Sequence, residues 1–332
     1  MKSRHLTFSQ FGAPSSVLRL ETYTLPSLKL GEVLLEIQAS PINPADLNFI
    51  EGTYGVKPEL PATPGIECFG KVIASQSKLF NPGDLVIPLS RVGGWADHAI
   101  AHEKNLIHLP ADIDPLQAAM LKVNPATAYL LLTHFESLQA GDWVALNAAN
   151  SGVGQCVIQL AKYFGIRTLC FLRKTELIND LKKLGATEVF EDSPAGYLSA
   201  LEALGQNRTR LAFNAVGGDS ALRIMKLLAP SGTHITYGAM AKKPLTVPNG
   251  PLIFNDIRLR GLWVTQWIRE ADPKNLNETY KILAELVISG KLTQSIDNTL
   301  DLSDYTQALA RLEEPKRSGK IIFHKKLHDI TS

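Results

Sequence analysis

Residues 141–154 read GDWVALNAANSGVG, a turn followed by an apolar run and then a loop of small residues. The apolar run predicts a buried strand at 143–147, and the residues after the loop predict an amphipathic helix at 153–164. Laid over the dinucleotide fingerprint G-x-G-x-x-G, the loop places Ala149 and Ser151 at the first two glycine positions and Gly154 at the third. A pyrophosphate binds such a helix start through free backbone N–H groups, so only small residues fit there. The stretch therefore predicts the strand-turn-helix unit that opens a dinucleotide-binding fold.

Strand and helix patterns alternate after this stretch. Further strands are predicted at 168–172, 188–190, 211–216 and 234–237, with helices at 176–184 and 220–228. The region before it, 114–132, predicts one helix. Alternation of this kind is typical of a parallel, doubly wound sheet. We therefore expect an α/β Rossmann domain over residues 121–265.

Residues 1–120 have a different pattern. Short β-like runs such as 33–37 and 71–74 are separated by frequent Pro and Gly, which predicts an antiparallel, barrel-like module. The chain after the Rossmann region predicts helices at 275–289 and 303–312 and strands at 296–300 and 320–324. The strand at 320–324 needs a sheet to pair with, and the sheet of the first module can provide it. Residues 266–332 are therefore expected to return to the first module. That module would then be discontinuous.

Composition narrows the functional classes. The chain has 332 residues with a formal net charge of +2, which argues against a polyanion-binding surface and hence against a nucleic-acid partner. An 18-residue apolar window and a secretory signal are both missing from the sequence, so no membrane association is expected. The three cysteines, Cys68, Cys156 and Cys170, are too far apart in sequence to suggest a disulfide framework or a zinc knuckle. These features predict a reducing, cytoplasmic setting.

The end of the second Rossmann strand indicates which cofactor is used. NAD-binding folds place an acidic residue there for the ribose 2′-hydroxyl, whereas this sequence has Arg173 and Lys174, two cations able to pair with a 2′-phosphate. The charge balance agrees, because residues 121–265 hold 15 Lys+Arg and 10 Asp+Glu, while residues 1–120 hold 9 and 12. We predict NADPH as the cofactor.

Six phrases carry a resemblance to a known superfamily. They are Ile42-Asn43-Pro44-Ala45-Asp46-Leu47-Asn48, Glu51-Gly52-Thr53-Tyr54-Gly55, Val123-Asn124-Pro125-Ala126-Thr127-Ala128-Tyr129, Asn147–Gly154, Tyr237-Gly238-Ala239-Met240 and Leu252–Trp267. The chain resembles the medium-chain dehydrogenase/reductase superfamily, and within it the zinc-independent 2-enoyl thioester reductases and the neighbouring quinone oxidoreductases. The resemblance implies a GroES-like catalytic domain built from both chain ends, 1–120 and 266–332, and a Rossmann domain between them.

The zinc enzymes of this superfamily hold their metal with a Cys near the Asn-x-x-Asp phrase and with a Gly-His-Glu phrase. This sequence has Ala45 and Ile66 at those positions, and the four-cysteine structural lobe is missing. We therefore predict no metal site.

The resemblance also implies roles for single residues. The tyrosine of the Gly-x-Tyr-Gly phrase, Tyr54, corresponds to the proposed proton donor for the carbon atom next to the thioester. Residues at positions where the family binds NADPH are Asn124, Ser151, Gly152, Val153, Gly154, Arg173, Lys174, Tyr237, Ala239, Met240, Trp263, Val264 and Lys320.

Three functions remain open at this point. The first is NADPH-dependent reduction of a 2-enoyl thioester, carried by coenzyme A or by acyl carrier protein. The second is an NADPH:quinone oxidoreductase, and the third is a non-catalytic NADPH-binding protein. Tyr54 favours the first, because neither alternative has an obvious need for a phenol at that turn. By analogy with the superfamily, we expect a homodimer formed through an edge strand at 257–264.

Overall fold

The computed structural model describes residues 1–314 and 318–325. They form two compact units, one made of Met1–Val123 with the described part of Lys274–Ser332, and one made of Asn124–Pro273. We call them unit 1 and unit 2. Residues 315–317 and 326–332, which belong to the predicted range 266–332, lie outside the described residues.

The strands and helices follow in chain order. The strands are β1 (Lys2–Thr7), β2 (Arg19–Thr24), β3 (Glu32–Pro41), β4 (Phe69–Ser75), β5 (Leu85–Pro88), β6 (His98–His102), β7 (Leu106–His108), β8 (Trp143–Leu146), β9 (Arg167–Leu172), β10 (Glu188–Glu191), β11 (Thr209–Asn214), β12 (Leu228–Thr236), β13 (Arg258–Gly261), β14 (Ile296–Leu300) and β15 (Lys320–His324). The α-helices are α1 (Pro14–Val17), α2 (Pro44–Glu51), α3 (Pro115–Ala119), α4 (Asn124–Thr133), α5 (Gly152–Phe164), α6 (Ile178–Leu184), α7 (Pro194–Leu204), α8 (Gly218–Met225), α9 (Asn249–Asn255), α10 (Val264–Glu270), α11 (Pro273–Ile288) and α12 (Tyr305–Glu313). None of the helices described is both long and apolar enough to cross a membrane.

Unit 2 is built on a six-stranded sheet in the order β10-β9-β8-β11-β12-β13, with every neighbouring pair parallel. The chain starts at β8 in the middle, moves outward to β10, and then returns to β11 on the other side of β8. This order confirms the predicted doubly wound sheet. Strand β8 is buried along its whole length, as expected for a strand covered by helices on both faces.

Unit 1 is built on a second, mainly antiparallel sheet in the order β14-β15-β3-β4-β5-β7, with β6 also paired to β3. The long strand β3 alternates half-buried and buried residues, which places one face against a core. Strand β15 pairs antiparallel with β3, so the late strand joins the sheet of the N-terminal module as expected. Strands β1 and β2 form a separate two-stranded ribbon.

The prediction of a single helix over 114–132 is wrong, because the structure has two helices, α3 and α4, separated by residues 120–123. Asp114 caps the start of α3 by accepting a 2.8 Å hydrogen bond from the Gln117 amide. Pro125 lies in the first turn of α4, where its missing N–H breaks no helical hydrogen bond, whereas inside one continuous helix it would remove such a bond. Helix α7 was not predicted from the sequence.

Candidate functional site

The predicted dinucleotide loop joins β8 to α5 in unit 2. Ser151 caps the helix, and its Oγ accepts a 3.1 Å hydrogen bond from the Gly154 amide. A Cβ on Gly154 would lie 2.5 Å from the Ala149 carbonyl oxygen, so a larger residue would push the loop away from the helix. The loop thus brings a capped helix N-terminus to the carboxyl edge of the parallel sheet, where such folds bind ligands.

Helix α4 approaches the same loop. A Cβ on Gly152 would lie 2.4 Å from Asn124 Nδ2, which shows how closely the Asn124 amide packs on the start of α5. Five residues predicted to bind the cofactor therefore meet at this helix start: Asn124, Ser151, Gly152, Val153 and Gly154.

Tyr237 follows β12 at the same edge. Its hydroxyl is buried, and no hydrogen-bond partner for it is found within the described part of the chain. Burial raises the pKa of this hydroxyl, and the nearby Ser151 hydroxyl acts against the rise. This buried hydroxyl lies near Ser151 at a tight helix start, and the arrangement fits a bound dinucleotide because the helix start offers backbone N–H groups to a pyrophosphate.

The other predicted cofactor residues of unit 2 also follow strand ends. Arg173 and Lys174 lie exposed just after β9, and Ala239 and Met240 lie exposed after β12. Trp263 and Val264 follow β13: Trp263 is the N-cap of α10, and Val264 is buried in its first turn. The parallel sheet thus places all of them beyond the carboxyl ends of its strands.

Lys320 is placed differently, at the start of β15 in unit 1. Its Nζ donates a hydrogen bond to Asn43 Oδ1, and Asn43 Nδ2 donates to Glu67 Oε1 over 2.9 Å. The second Glu67 oxygen accepts a 2.9 Å bond from the Val123 amide. Burial raises the pKa of Glu67, and Lys320 and Asn43 act against this rise. The predicted role of Lys320 toward the cofactor stays a prediction.

Lys122 is a buried cation that sequence reasoning missed. Its Nζ donates to the carbonyl oxygens of Ile66 and Ser90, at 2.6 Å and 3.1 Å. Burial lowers the pKa of Lys122 to about 8, although the Glu67 carboxylate opposes the shift. The available signal was a single lysine within the otherwise apolar run Ala118–Val123.

Tyr54 follows Gly52, which ends α2 in the left-handed backbone region with φ +74°. The half-buried Tyr54 ring packs against the core of unit 1. Its backbone amide donates a 3.1 Å hydrogen bond to the Asn48 carbonyl, which fixes the turn.

Arg91 lies beside this tyrosine and was not predicted. Its guanidinium carbon is 3.9 Å from the centre of the Phe49 ring and 5.6 Å from the centre of the Tyr54 ring. It also donates to Asp46 Oδ1 over 3.4 Å. The buried Asp46 carboxylate is itself held by the Gly65 and Ile66 amides. Unit 1 therefore places the Arg91 guanidinium, paired with the Asp46 carboxylate, next to the predicted proton donor.

Neither position that carries a zinc ligand in the metal enzymes offers one here. Ala45 lies in the first turn of α2, and Ile66 is buried with its amide bound to Asp46. Across residues 1–314 and 318–325, no group of three or more His, Cys, Asp or Glu side chains is placed to hold a metal ion.

The sequence matches two domain families. Residues 29–111 match the alcohol dehydrogenase GroES-like domain, and residues 152–285 match the family described as zinc-binding dehydrogenase. Although the second family is described as zinc-binding, its match contains the helix after the dinucleotide loop. Ala45 and Ile66, which stand at the positions of the zinc ligands in the metal enzymes, lie in the first match.

Whole-chain relatives are also found. The mitochondrial enoyl-[acyl-carrier-protein] reductase of Rattus norvegicus is 41% identical over 332 residues, which covers 96% of this chain and 88% of the rat protein. The corresponding protein of Arabidopsis thaliana is 39% identical and covers 87% of this chain and 80% of its own length.

Solved structures share the fold. The complex of Etr1p with NADP and crotonyl-CoA has a TM-score of 0.87 and 28% identity, covering 98% of this chain and all of Etr1p, a 2-enoyl thioester reductase of Candida tropicalis. A Bacillus thuringiensis protein named as an NADPH:quinone reductase has a TM-score of 0.91 and 26% identity, covering 98% of this chain and 99% of that protein.

These likenesses extend over both units and agree with the resemblance found in the sequence. The chain belongs to the enoyl-[acyl-carrier-protein] reductase family of the medium-chain dehydrogenase/reductase superfamily, and it is an oxidoreductase that uses a nicotinamide cofactor.

Proposed function

We propose that this protein reduces the activated carbon–carbon double bond of a 2-enoyl thioester, with NADPH as the reductant and Tyr54 as the proton donor. The observation that carries the proposal is Tyr54 itself, in a chain whose relatives over nearly full length are enoyl reductases. Its ring lies at a fixed turn, half-buried, with the Arg91 guanidinium 5.6 Å away.

The chemistry requires one proton at a defined carbon. When bound, the reduced nicotinamide supplies a hydride to the β-carbon of the substrate. The α-carbon then needs a proton, and the Tyr54 hydroxyl would donate it as a general acid.

The choice of NADPH over NADH rests on Arg173 and Lys174. Both cations follow β9 directly, at the carboxyl edge that also carries the dinucleotide loop. A 2′-phosphate would form ion pairs with both cations, whereas a neutral 2′-hydroxyl carries no charge to pair with them. The bound NADP of the similar Etr1p complex supports this choice.

A side-by-side assay tests the function. Steady-state oxidation of NADPH is measured with crotonyl-CoA, a longer enoyl-CoA and 1,4-benzoquinone. We expect turnover with the enoyl thioesters, and the chain-length preference reports the preferred acyl group. Turnover with the quinone alone would overturn the proposal in favour of a quinone reductase, the function named for the similar Bacillus thuringiensis protein. Cofactor binding without any turnover would favour a binding protein.

The carrier of the acyl group is tested with the same protein. Crotonyl-CoA and crotonyl-acyl carrier protein are compared at equal concentrations. A higher kcat/KM for the acyl carrier protein form would match the activity named for the rat and Arabidopsis relatives.

We also propose a homodimer in a reducing, cytoplasmic compartment. Strand β13 is the last strand of the unit 2 sheet and is exposed along its length, so its free edge can pair with a second copy. Molar mass by light scattering tests the dimer. The three cysteines are free and buried, which fits a reducing compartment. The relatives, by contrast, are named mitochondrial and not cytoplasmic.

A further inference from the structure

A chain of buried side chains runs along the carboxyl edge of the unit 2 sheet, and the proposed chemistry does not use it directly. Asn147 follows β8 and Asn214 ends β11, and both are fully buried. Asn147 Nδ2 donates to Asn214 Oδ1 and to Ser220 Oγ, each over 2.9 Å. Asn147 Oδ1 accepts a 2.7 Å bond from the Ala215 amide. Every polar atom of the Asn147 side chain therefore has a partner.

The neighbours of Asn147 allow only one orientation of its amide. Ser220 donates its hydroxyl proton to Asp192 Oδ2 over 2.6 Å, so its oxygen must accept from Asn147. Asp192 is held in turn by the Arg223 guanidinium, at 2.6 Å. Asn214 Oδ1 accepts from the Val216 and Gly217 amides, so it too faces Asn147 as an acceptor. A flipped Asn147 amide would place an oxygen against two acceptors.

The Asn147 and Asn214 side chains hold the backbone that follows β11 in a turn. Three consecutive amides, those of residues 215–217, donate to the two asparagine oxygens. The backbone carbonyls of the same stretch bind the segment 237–241. The Met240 amide donates to Ala215 O over 2.9 Å, and the Ala241 amide donates to Val216 O over 3.0 Å. The backbone amide of Tyr237 likewise donates to Asn214 O over 2.9 Å. The segment 237–241 thus rests on the turn 215–217.

We infer that Asn147 is a positioning residue for cofactor binding, which folds the turn 215–217 and through it holds Tyr237, Ala239 and Met240 at the nucleotide-binding edge. The inference rests on the nicotinamide cofactor of the proposed function, but not on its substrate. Ser220 supports Asn147 by fixing the direction of its amide.

The first test is Asn147→Asp, with the Kd for NADPH measured by isothermal titration calorimetry. The carboxylate keeps an acceptor for Ala215 but loses both donor bonds and faces two oxygens instead. We expect NADPH binding to weaken roughly tenfold, because the turn loosened by the mismatch must be ordered again when NADPH binds, and such ordering costs affinity on that scale. Asn207→Asp is the matched control, because it makes the same change at an exposed position of unit 2 and should keep the wild-type Kd.

A second pair of variants covers the case in which Asn147→Asp does not fold. Ser220→Ala removes the hydroxyl that orients Asn147, and we expect a few-fold weaker Kd for NADPH. Ser220→Thr keeps a hydroxyl and should restore the wild-type value. In steady state, Ser220→Ala should raise KM for NADPH while leaving kcat at saturating NADPH close to wild type.

Hydrogen exchange then separates positioning from a general loss of stability. The Met240 and Ala241 amides should exchange faster in Ser220→Ala, while amides of the unit 1 sheet keep their rates. A lower melting temperature with wild-type Kd and KM for NADPH would overturn the inference. Because binding needs no substrate, a protein that binds NADPH but reduces no enoyl thioester would contradict the proposed function and leave this inference standing.

Discussion

The Asn43 amide donates a 2.9 Å hydrogen bond to Glu67 Oε1, and both residues are buried in unit 1. Asn43 is also the N-cap of α2, and its Oδ1 accepts from Lys320. The Asn43 side-chain amide thus donates to the Glu67 carboxylate and accepts from the Lys320 ammonium group, so each donor faces an acceptor. Glu67 belongs to the phrase that carries zinc ligands in the metal enzymes of the superfamily, and here it organises hydrogen bonds.

The first prediction concerns this pair. Glu67→Gln replaces one acceptor by a donor, so either Asn43 Nδ2 or the Val123 amide would face a donor. If the Asn43 side-chain amide rotated to offer its oxygen to the new amide at position 67, its NH2 group would instead face the Lys320 ammonium group, which is also a donor. We expect a loss of about 1–3 kcal/mol in the free energy of unfolding, measured in urea. The exposed Glu59→Gln is the control, and an equal effect of the two substitutions would contradict the matched network.

The second prediction concerns proton donation. Tyr54→Phe keeps the ring that packs on the core of unit 1 and removes only the hydroxyl. Enoyl thioester turnover should fall by about 10²–10⁴-fold, the usual contribution of a general acid, while the Kd for NADPH stays close to wild type. Any quinone activity should fall much less, because reduced quinone oxygens can take protons from water.

Tyr305→Phe is the matched control for this change. Tyr305 packs against the same core and loses only a 3.5 Å hydrogen bond to the Leu18 carbonyl. If Tyr54→Phe stays within a few-fold of wild type in enoyl-CoA reduction, the hydroxyl is not the acid.

The third prediction concerns the 2′-phosphate. Replacing both Arg173 and Lys174 with Ala should weaken NADPH binding by several kcal/mol at most, since each charged hydrogen bond contributes roughly 1.5–3 kcal/mol. NADH binding should change little. Replacing Lys182 and Lys183, an exposed pair on α6, removes the same charge from the same unit and should leave both affinities unchanged. Equal losses for NADPH and NADH in the first variant would refute the assignment.

The fourth prediction concerns acid sensitivity. His234 lies in β12, and neither ring nitrogen has a hydrogen-bond partner within the described residues. Burial lowers the pKa of His234 to about 4 from 6.5, against a small opposing effect of the Ala221 backbone. Between these values the unfolded chain binds the proton and the folded chain does not. The resulting stability is present above pH 6.5 and is lost as the pH falls toward 4.

His234→Leu should remove this part of the pH dependence. Between pH 7 and pH 5, the variant should lose about 2 kcal/mol less free energy of unfolding than the wild type. Urea unfolding at both pH values measures the difference. His134→Leu, at an exposed position of unit 2, is the control. A variant with the same pH dependence as the wild type would show that His234 is protonated in the folded state.

The fifth prediction concerns metal. With Ala45 and Ile66 at the ligand positions, the purified protein should contain much less than one equivalent of zinc, and chelators should leave its activity intact. Elemental analysis before and after chelation provides the measurement. One equivalent of tightly held zinc, lost together with activity, would show that another set of ligands exists.

The sequence by itself determined the parallel sheet of unit 2 and the position of its dinucleotide loop. These features are local, since strand and helix periods and a run of small residues lie within a few dozen consecutive positions. It also placed two cations after β9, because the end of a strand fixes the position of the residues that follow it. The absence of zinc ligands at 45 and 66 needed only the residue types.

Only the tertiary structure decided which polar groups meet. Glu67, Asn43 and Lys320 are distant in sequence, as is Asn147 from Asn214 and Ser220, and the tertiary fold brings each set together. The break between α3 and α4 was missed for a similar reason, because Lys122 in that break finds its acceptors at Ile66 and Ser90. Buried polar groups must find partners wherever the fold supplies them, and no local pattern in the sequence encodes that choice.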